Sequence, residues 1–309
     1  MKSKIIVLII ILSVVLTGCG NSEEKTIKIA QQFGLAYAPL QLAKELNLIE
    51  KHLPDYTVEW KQIMNTATIR EGMLSSDLDI GFMGIPPFLI GYDNGMSWNI
   101  FRGLSKAPLG LTYNKDKINS LEDIDIKHKI ALPQPGSIQH ILLAMYLERE
   151  KGTANVLDDY LLTLSHPDGQ LALLSNSGVA AHFTSPPYIL EELKEDNVDI
   201  LIDGNEAFGG EFTFIVGVVR DKFDNQIAID GVNKGIDDAV KMIIDDPEKV
   251  AEILAPIYGL DEETTLSYLT WDGMDFDNEI SGIEEFSKFM LRNNYIKTDI
   301  SQEDVLYEK

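Results

Sequence analysis

The residues best suited to hold a ligand gather where extended segments end. In Leu132-Pro133-Gln134-Pro135-Gly136-Ser137-Ile138-Gln139-His140, two prolines stop a short apolar run and Gly136 allows a tight turn. Ser137 is a good cap for the helix that follows. Free N–H groups and the positive dipole end of such a helix start suit an anion. Gly136 and Ser137 are therefore the first candidate contacts, one by close backbone approach and one by its hydroxyl. Ser137 can equally serve as a helix cap alone. His140, one turn further on, either points to a ligand or buttresses the turn, and the buttress is the better reading.

Other candidates sit at comparable places. Gly84-Ile85-Pro86-Pro87-Phe88 and Thr184-Ser185-Pro186-Pro187-Tyr188 each follow an extended apolar stretch and precede a helical one. Gly84 and Ile85 would face a ligand through backbone groups, and Thr184 and Ser185 are the matching polar positions. Each Pro-Pro can also be no more than a helix start. Phe33 and Tyr37 offer an apolar or stacking wall, or ordinary core. His182 ends the stretch before Thr184 and is placed to reach the same site. Trp271 either lies over the pocket or packs between helices.

Covalent and metal chemistry find little support. His52, His128, His140, His166 and His182 show no metal-ligand spacing, so neither a metal nor a cofactor is expected. There is no G-x-S-x-G and no phosphate-binding G-x-x-x-x-G-K-[ST]. Cys19 is the single cysteine, which rules out an intrachain disulfide. The chain is read as a binder, not an enzyme.

The elements that must position these residues alternate. Strands are expected over residues 26–30, 56–62, 78–84 and 98–103, with helices from 38, 65 and 85 between them. The pattern restarts with strands at 109–113, 129–132, 161–165, 178–183 and 198–202. A long apolar strand over 212–220 follows. Helices are then expected over 231–244, 247–257, 262–268 and 280–292. Such alternation specifies an α/β protein with mostly parallel sheets, whose ligands collect at the carboxyl ends of strands.

At 309 residues about two domains are expected. The formal charge of −23 argues against nucleic acid and anionic membrane surfaces as partners. It leaves room for a small anion, because a local nest of N–H groups outweighs distant carboxylates. At the N-terminus, Lys2 and Lys4 precede a run over residues 5–16 that is apolar except for Ser13, then Leu16-Thr17-Gly18-Cys19. That order is an export signal, shorter than the roughly 20 apolar residues of a spanning helix. Leu16-Thr17-Gly18-Cys19 looks like a bacterial lipobox, in which Cys19 is lipidated.

Taken together, the chain resembles the extracytoplasmic substrate-binding proteins of ABC importers. Within them it is most similar to the nitrate, sulfonate and taurine group and its thiamine-precursor relatives. The resemblance is carried by residues 26–43 with Tyr37-Ala38-Pro39, by residues 79–87, and by Pro135-Gly136-Ser137 with His140. Ser185-Pro186-Pro187 and the helical tail with Trp271 also match. It implies a two-lobed clamshell of the periplasmic-binding-protein type II, with a helical C-terminal tail. Residues 1–18 would be the lipoprotein signal peptide and 19–25 a tether. Residues 26–110 plus 215–309 would form lobe I and residues 111–214 lobe II, joined by two crossovers. A small-molecule ligand would be trapped between the lobes. The protein, a monomer on the outer face of the bacterial cytoplasmic membrane, would deliver it to permease transmembrane subunits with a cytoplasmic ATPase. A small organic oxyanion, an aliphatic sulfonate first, suits the helix start. A pyrimidine-type thiamine precursor would use the aromatic walls instead. An exported enzyme like the pyrimidine-precursor synthase, which consumes its own histidine, is the alternative of another class. That synthase carries a cysteine-rich motif absent from this chain.

Overall fold

The computed structural model describes residues 25–175 and 177–308. The expected signal peptide, the lipobox with Cys19 and the tether up to residue 24 lie outside the described residues. The chain opens with β1 (Lys25–Gln31), α1 (Ala38–Glu45), α2 (Leu48–His52), β2 (Tyr56–Gln62), α3 (Thr66–Leu74), β3 (Ile80–Gly84), α4 (Ile85–Asp93) and β4 (Trp98–Ser105). It continues with β5 (Gly110–Asn114), β6 (Lys129–Leu132), α5 (Ile138–Lys151), β7 (Leu161–Thr163), α6 (His166–Leu174), β8 (Val179–Thr184), α7 (Tyr188–Glu192), β9 (Val198–Asp203) and α8 (Gly204–Phe208). After β10 (Ile215–Arg220) come the tail helices α9 (Gln226–Asp245), α10 (Pro247–Tyr258), α11 (Glu262–Leu269), α12 (Ile283–Arg292) and α13 (Gln302–Val305).

The strands form two sheets with one plan. Their orders are β2-β1-β3-β10-β4 and β7-β6-β8-β5-β9. Within each, the strand next to the central one runs antiparallel to both neighbours, β10 in the first and β5 in the second. The other pairings are parallel. The α/β expectation is met, with helices on the sheet faces, but the sheets are mixed rather than mostly parallel: as many pairings run antiparallel as parallel, because β10 and β5 each run against both neighbours. β3 and β8 hold the same central position, so the two Pro-Pro segments leave equivalent strand ends. The chain crosses between sheets twice, through residues 106–109 and 209–214.

Local chemistry sets the helix starts. Asn65, Ser137, Ser165, Asn225, Asp246 and Asp261 each accept, through the side chain, the N–H three residues on. That interaction satisfies one of the orphan donors of a first turn. The tail packs back onto the first sheet's helices. A Cβ at Gly231 or Gly235 of α9 would lie 2.3 Å from Leu53 or 2.7 Å from Ile49, so only glycine lets α2 approach. Among the described residues no helix is long and apolar enough to cross a membrane.

Several boundaries differ from the sequence expectation, α12 starting at Ile283 rather than 280 among them, and four are instructive. β10 begins at Ile215 rather than at 212, because Thr213 and Phe214 still belong to the second crossover. There Thr213 N–H donates to the Ser281 carbonyl. α9 starts five residues early, capped by Asn225. The helix after Pro186-Pro187 starts only at Tyr188, whereas α4 starts at Ile85, directly after its strand. The first strand takes in Lys25, assigned above to the tether, which pairs with Tyr56.

Candidate functional site

The turn into α5 follows from its sequence. Ser137 N–H donates to the Gln134 carbonyl at 3.1 Å, which closes a four-residue turn around Pro135 and Gly136. Gly136 has φ +78°, and Pro-Gly at the two central positions is the signature of a type II turn. Gly136 N–H donates to His140 Nδ1 at 2.9 Å, and His140 Nε2 lies 3.2 Å from Asp158 Oδ1. His140, 4% exposed, is therefore a prop: its ring accepts from the turn on one edge and meets a carboxylate on the other. The His140 N–H is taken by Ser137 Oγ and that of Ile141 by the Ser137 carbonyl. The N–H groups of Ile138 and Gln139 find no acceptor among the described residues, and both residues line a cleft. A helix start with such groups free attracts anions.

The cleft lies between the carboxyl ends of the two sheets' strands. From the second sheet's side it is lined by Pro133, Gln134, Ser137, Ile138, Gln139 and His166. Facing them are Gln32, Phe33, Tyr37, Met64, Thr66, Gly84, Pro87, Phe214 and Ile215. Gln32 Nε2 donates to Tyr37 Oη and Thr66 Oγ1, both at 3.2 Å. Burial pushes the Tyr37 phenol up, so it stays neutral. Among the described residues no Asp, Glu, Lys or Arg lines the cleft. The void is about 40 Å³, room for roughly three water-sized groups. The two sides touch directly: Leu35 N–H donates to the Pro186 carbonyl at 2.9 Å, and a Cβ at Gly136 would lie 2.7 Å from Ile90 Cδ1.

His166, the first residue of α6, stands in the second wall. Its Nδ1 is 3.0 Å from Thr184 Oγ1 and 3.5 Å from His182 Nε2, and its Nε2 is 3.3 Å from Gln139 Nε2. The ring stacks on Tyr188 at 5.6 Å. Burial first, then the charge on His182, pushes the His166 imidazolium down to about 3. A histidine lowered on folding is protonated first in the unfolded chain, so stability is lost as pH falls from about 6.5 toward 3, with nothing lost above. The expected loss is up to about 2 kcal/mol at pH 5. Thermal melts between pH 7 and pH 5 should show this slope, flattened in His166→Gln. An equal slope in that variant would rule the histidine out as its source.

Of the residues singled out from sequence, Phe33, Tyr37, Gly84 and Ser137 meet in this cleft. Gly136 shapes the turn beside it. Ile85 is fully buried at the first turn of α4. Thr184 and Ser185 are buried one layer back, Thr184 on His166 and Ser185 beside Gly34. His182 is 0% exposed; its ring is turned away from the cleft, between Glu192 and His166. Trp271 is 44% exposed and lines a separate surface groove with Leu190, Lys194 and Tyr268. Missed from sequence were Gln32, Thr66, Gln139, Phe214 and above all His166. The last had a signal: Ser165-His166-Pro167 opens a helix just after a strand, as Ser137 does. Among the described residues no group of three or more His, Cys, Asp or Glu could hold a metal ion.

No family model matches the chain. It is 26% identical over 254 residues to a protein of Escherichia coli (strain K12) whose name assigns it to aliphatic sulfonate binding, covering 81% of this chain and 76% of that one. Its fold is similar to that of the alkanesulfonate-binding protein SsuA from Xanthomonas axonopodis pv. citri bound to MOPS. The TM-score is 0.77 at 16% identity, over 91% of this chain and 98% of that one. The periplasmic nitrate-binding protein NrtA from Synechocystis PCC 6803 matches with a TM-score of 0.65 at 16% identity, over 89% and 83% of the two chains. The chain thus has the two-lobed α/β fold of the periplasmic binding proteins, and it is similar in sequence, over most of its length, to one protein named for aliphatic sulfonate binding.

Proposed function

We propose that this protein is the extracytoplasmic solute-binding component of an ABC importer and captures a small organic oxyanion between its two lobes. Residues 26–110 with 215–309 would move as one lobe and residues 111–214 as the other. Cys19 would carry the lipid that holds the monomer to the outer face of the cytoplasmic membrane. Permease transmembrane subunits with a cytoplasmic ATPase would receive the ligand. The observation that carries this reading is the free N–H start of α5 facing a cleft lined by uncharged donors. Neutral donors hold an oxyanion without the desolvation cost of a buried cation. The void fits a sulfonate, nitrate or carboxylate head, with Phe33, Tyr37 and Phe214 for an aliphatic tail. A pyrimidine-type thiamine precursor is the weaker reading, since among the described residues no carboxylate lines the cleft to meet its amines.

A thermal-shift screen of methanesulfonate, taurine, nitrate, bicarbonate and a thiamine precursor tests the ligand class. Binding at a thousandfold excess over Kd should add about 4 kcal/mol of stability. No shift with any oxyanion would end the proposal. Ligand recovered after incubation should be unchanged and the protein mass unaltered; a modified histidine would point to the synthase-like enzyme instead. Ser137→Ala should weaken binding about tenfold, by loss of one hydrogen bond and of the cap. Binding equal to wild type by calorimetry would remove Ser137 from the site.

A further inference from the structure

Behind the cleft wall lies a buried polar cluster that ligand capture as described leaves unused. Glu192 of α7 and His182 of β8 are both 0% exposed. His182 Nδ1 is 2.6 Å from Glu192 Oε1, and Thr112 Oγ1 is 2.6 Å from Glu192 Oε2. Among the described residues these are the carboxylate's two side-chain partners. A carboxylate this deep requires a compensating charge. Thr112 supplies a hydroxyl only, whose single proton is also within reach of the His182 carbonyl at 3.0 Å, so a proton on His182 would be the compensating charge.

The consequences run outward to the cleft. With Nδ1–H given to Glu192, the second ring proton of His182 is on Nε2, which faces His166 Nδ1 at 3.5 Å. The Thr184 hydroxyl, 3.0 Å from that same nitrogen, can donate or accept, so the ring proton of His182 decides the role of that nitrogen. His166 Nδ1 is therefore an acceptor, and a neutral imidazole then carries its proton on Nε2. That nitrogen sits beside Gln139, at the cleft wall. Packing holds the arrangement: a Cβ at Gly169 of α6 would lie 2.5 Å from His182 Nε2, so helix and ring are pressed together.

We propose that Glu192 and His182 are a positioning pair that fixes the tautomer of His166, so that its Nε2–H faces the cleft as an uncharged donor for a ligand oxygen. The ligand part rests on the oxyanion reading above; the tautomer does not. Gln139 Nε2 stands 3.3 Å from His166 Nε2. As placed, the Gln139 amide aims a donor at that nitrogen; with a proton on His166 Nε2 the amide is turned about in the free protein, its oxygen accepting from the ring, an orientation set by the hydrogen-bond network. In the complex a ligand oxygen would take that acceptor's place. The opposite arrangement, with an acid proton on Glu192 Oε2 toward Thr112 and a neutral His182 that keeps Nδ1–H, would leave His182 Nε2 bare, place the His166 proton on Nδ1 and turn a bare nitrogen to the cleft. That would suit a ligand N–H. A proton passed only from His182 Nδ1 to Glu192 Oε1 leaves Nε2–H in place.

Ring-nitrogen NMR of the ligand-free protein with 15N-labelled histidine decides between them. His166 should show a protonated Nε2 and a bare Nδ1, and His182 two protonated nitrogens. His166→Gln and His182→Gln assign the signals by their loss. A His166 protonated on Nδ1 would overturn the proposal. Glu192→Gln should remove one ring proton from His182 and weaken methanesulfonate binding about tenfold, by calorimetry. Unchanged binding in that variant would overturn the ligand role. Should Glu192→Gln fail to fold, His166→Gln, which keeps an N–H donor, should bind within a few-fold of wild type. His166→Phe should then lose about tenfold, and equal binding by the two variants would overturn the role. Wild-type protein that binds no methanesulfonate would sink the oxyanion reading, while the spectrum still decides the tautomer.

Discussion

Gly34→Val is expected to weaken capture of an alkanesulfonate by about 10- to 100-fold. Gly34 sits at φ +127°, ψ 159°, a region that is essentially glycine's own and costs other residues about 1–3 kcal/mol. The backbone is held there by the contact it makes across the cleft. Leu35 N–H donates to the Pro186 carbonyl at 2.9 Å, and a Cβ at Gly34 would lie 3.3 Å from that same oxygen. A valine must therefore strain the loop and push against the opposite lobe at once. On the closure proposed above, both penalties would fall on the closed form, because an open cleft would let residue 34 relax. A ligand held by both lobes would then lose affinity by the full cost of closure. Calorimetry should report the loss in Kd. Small-angle scattering should show the variant still open at a ligand concentration that closes the wild type. Melting without ligand should change little. A Kd within twofold of wild type would show that this contact plays no part in closure.

How much of this was legible beforehand depended on the range of each interaction. The strand–turn–helix units were readable because their causes are local. Pro135-Gly136 fixes the turn and Ser137 caps the helix within four residues of each other. The Pro-Pro echo was readable as a repeated grammar, and the equivalent places of β3 and β8 give it structural meaning. By contrast, Gly231 and Gly235 look like weak points in a helix. The pattern accordingly placed the helix start at Gly231, although the helix begins at Gln226. Their purpose is the approach of α2, a contact some 180 residues away in sequence that no periodicity encodes. His182 was chosen because it ends a strand, but alternation along β8 turns its ring to the face covered by α6 and α7. His166, half-buried, stands in the cleft wall instead. Trp271 was drawn to the cleft by its type alone. Its groove lies between the end of α7 and α11, a pairing decided between helices and not within them.

The largest stability effect is expected at Gly103→Ala, which should cost about 3–5 kcal/mol and lower the melting temperature by roughly 6–20 °C. Gly103 lies in β4, the edge strand of the first sheet, and is not among the positive-φ glycines. On backbone grounds alone, alanine there would stabilise by about 0.4–1 kcal/mol through the unfolded chain. Space reverses the sign. A Cβ at this position would lie 1.9 Å from the Glu279 carbonyl oxygen and 2.8 Å from its carbon. The obstacle is main chain, which cannot swing aside as a side chain can. The segment of residues 275–281 runs along this edge: Gly103 N–H donates to the Asn278 carbonyl, and Lys106 and Asp275 exchange backbone bonds. The Thr213 hydroxyl, in the second crossover, donates to the Glu279 carbonyl at 3.1 Å. An added methyl must lift the segment and break these bonds together, uncovering a strand edge and the buried Phe276. Because Thr213 lies on a crossover between the sheets, the damage should extend to closure, and the variant should bind its ligand less well even where it stays folded. A melting temperature within about 2 °C of wild type would mean that the segment yields easily. The edge of the first sheet would then owe little to the tail that covers it.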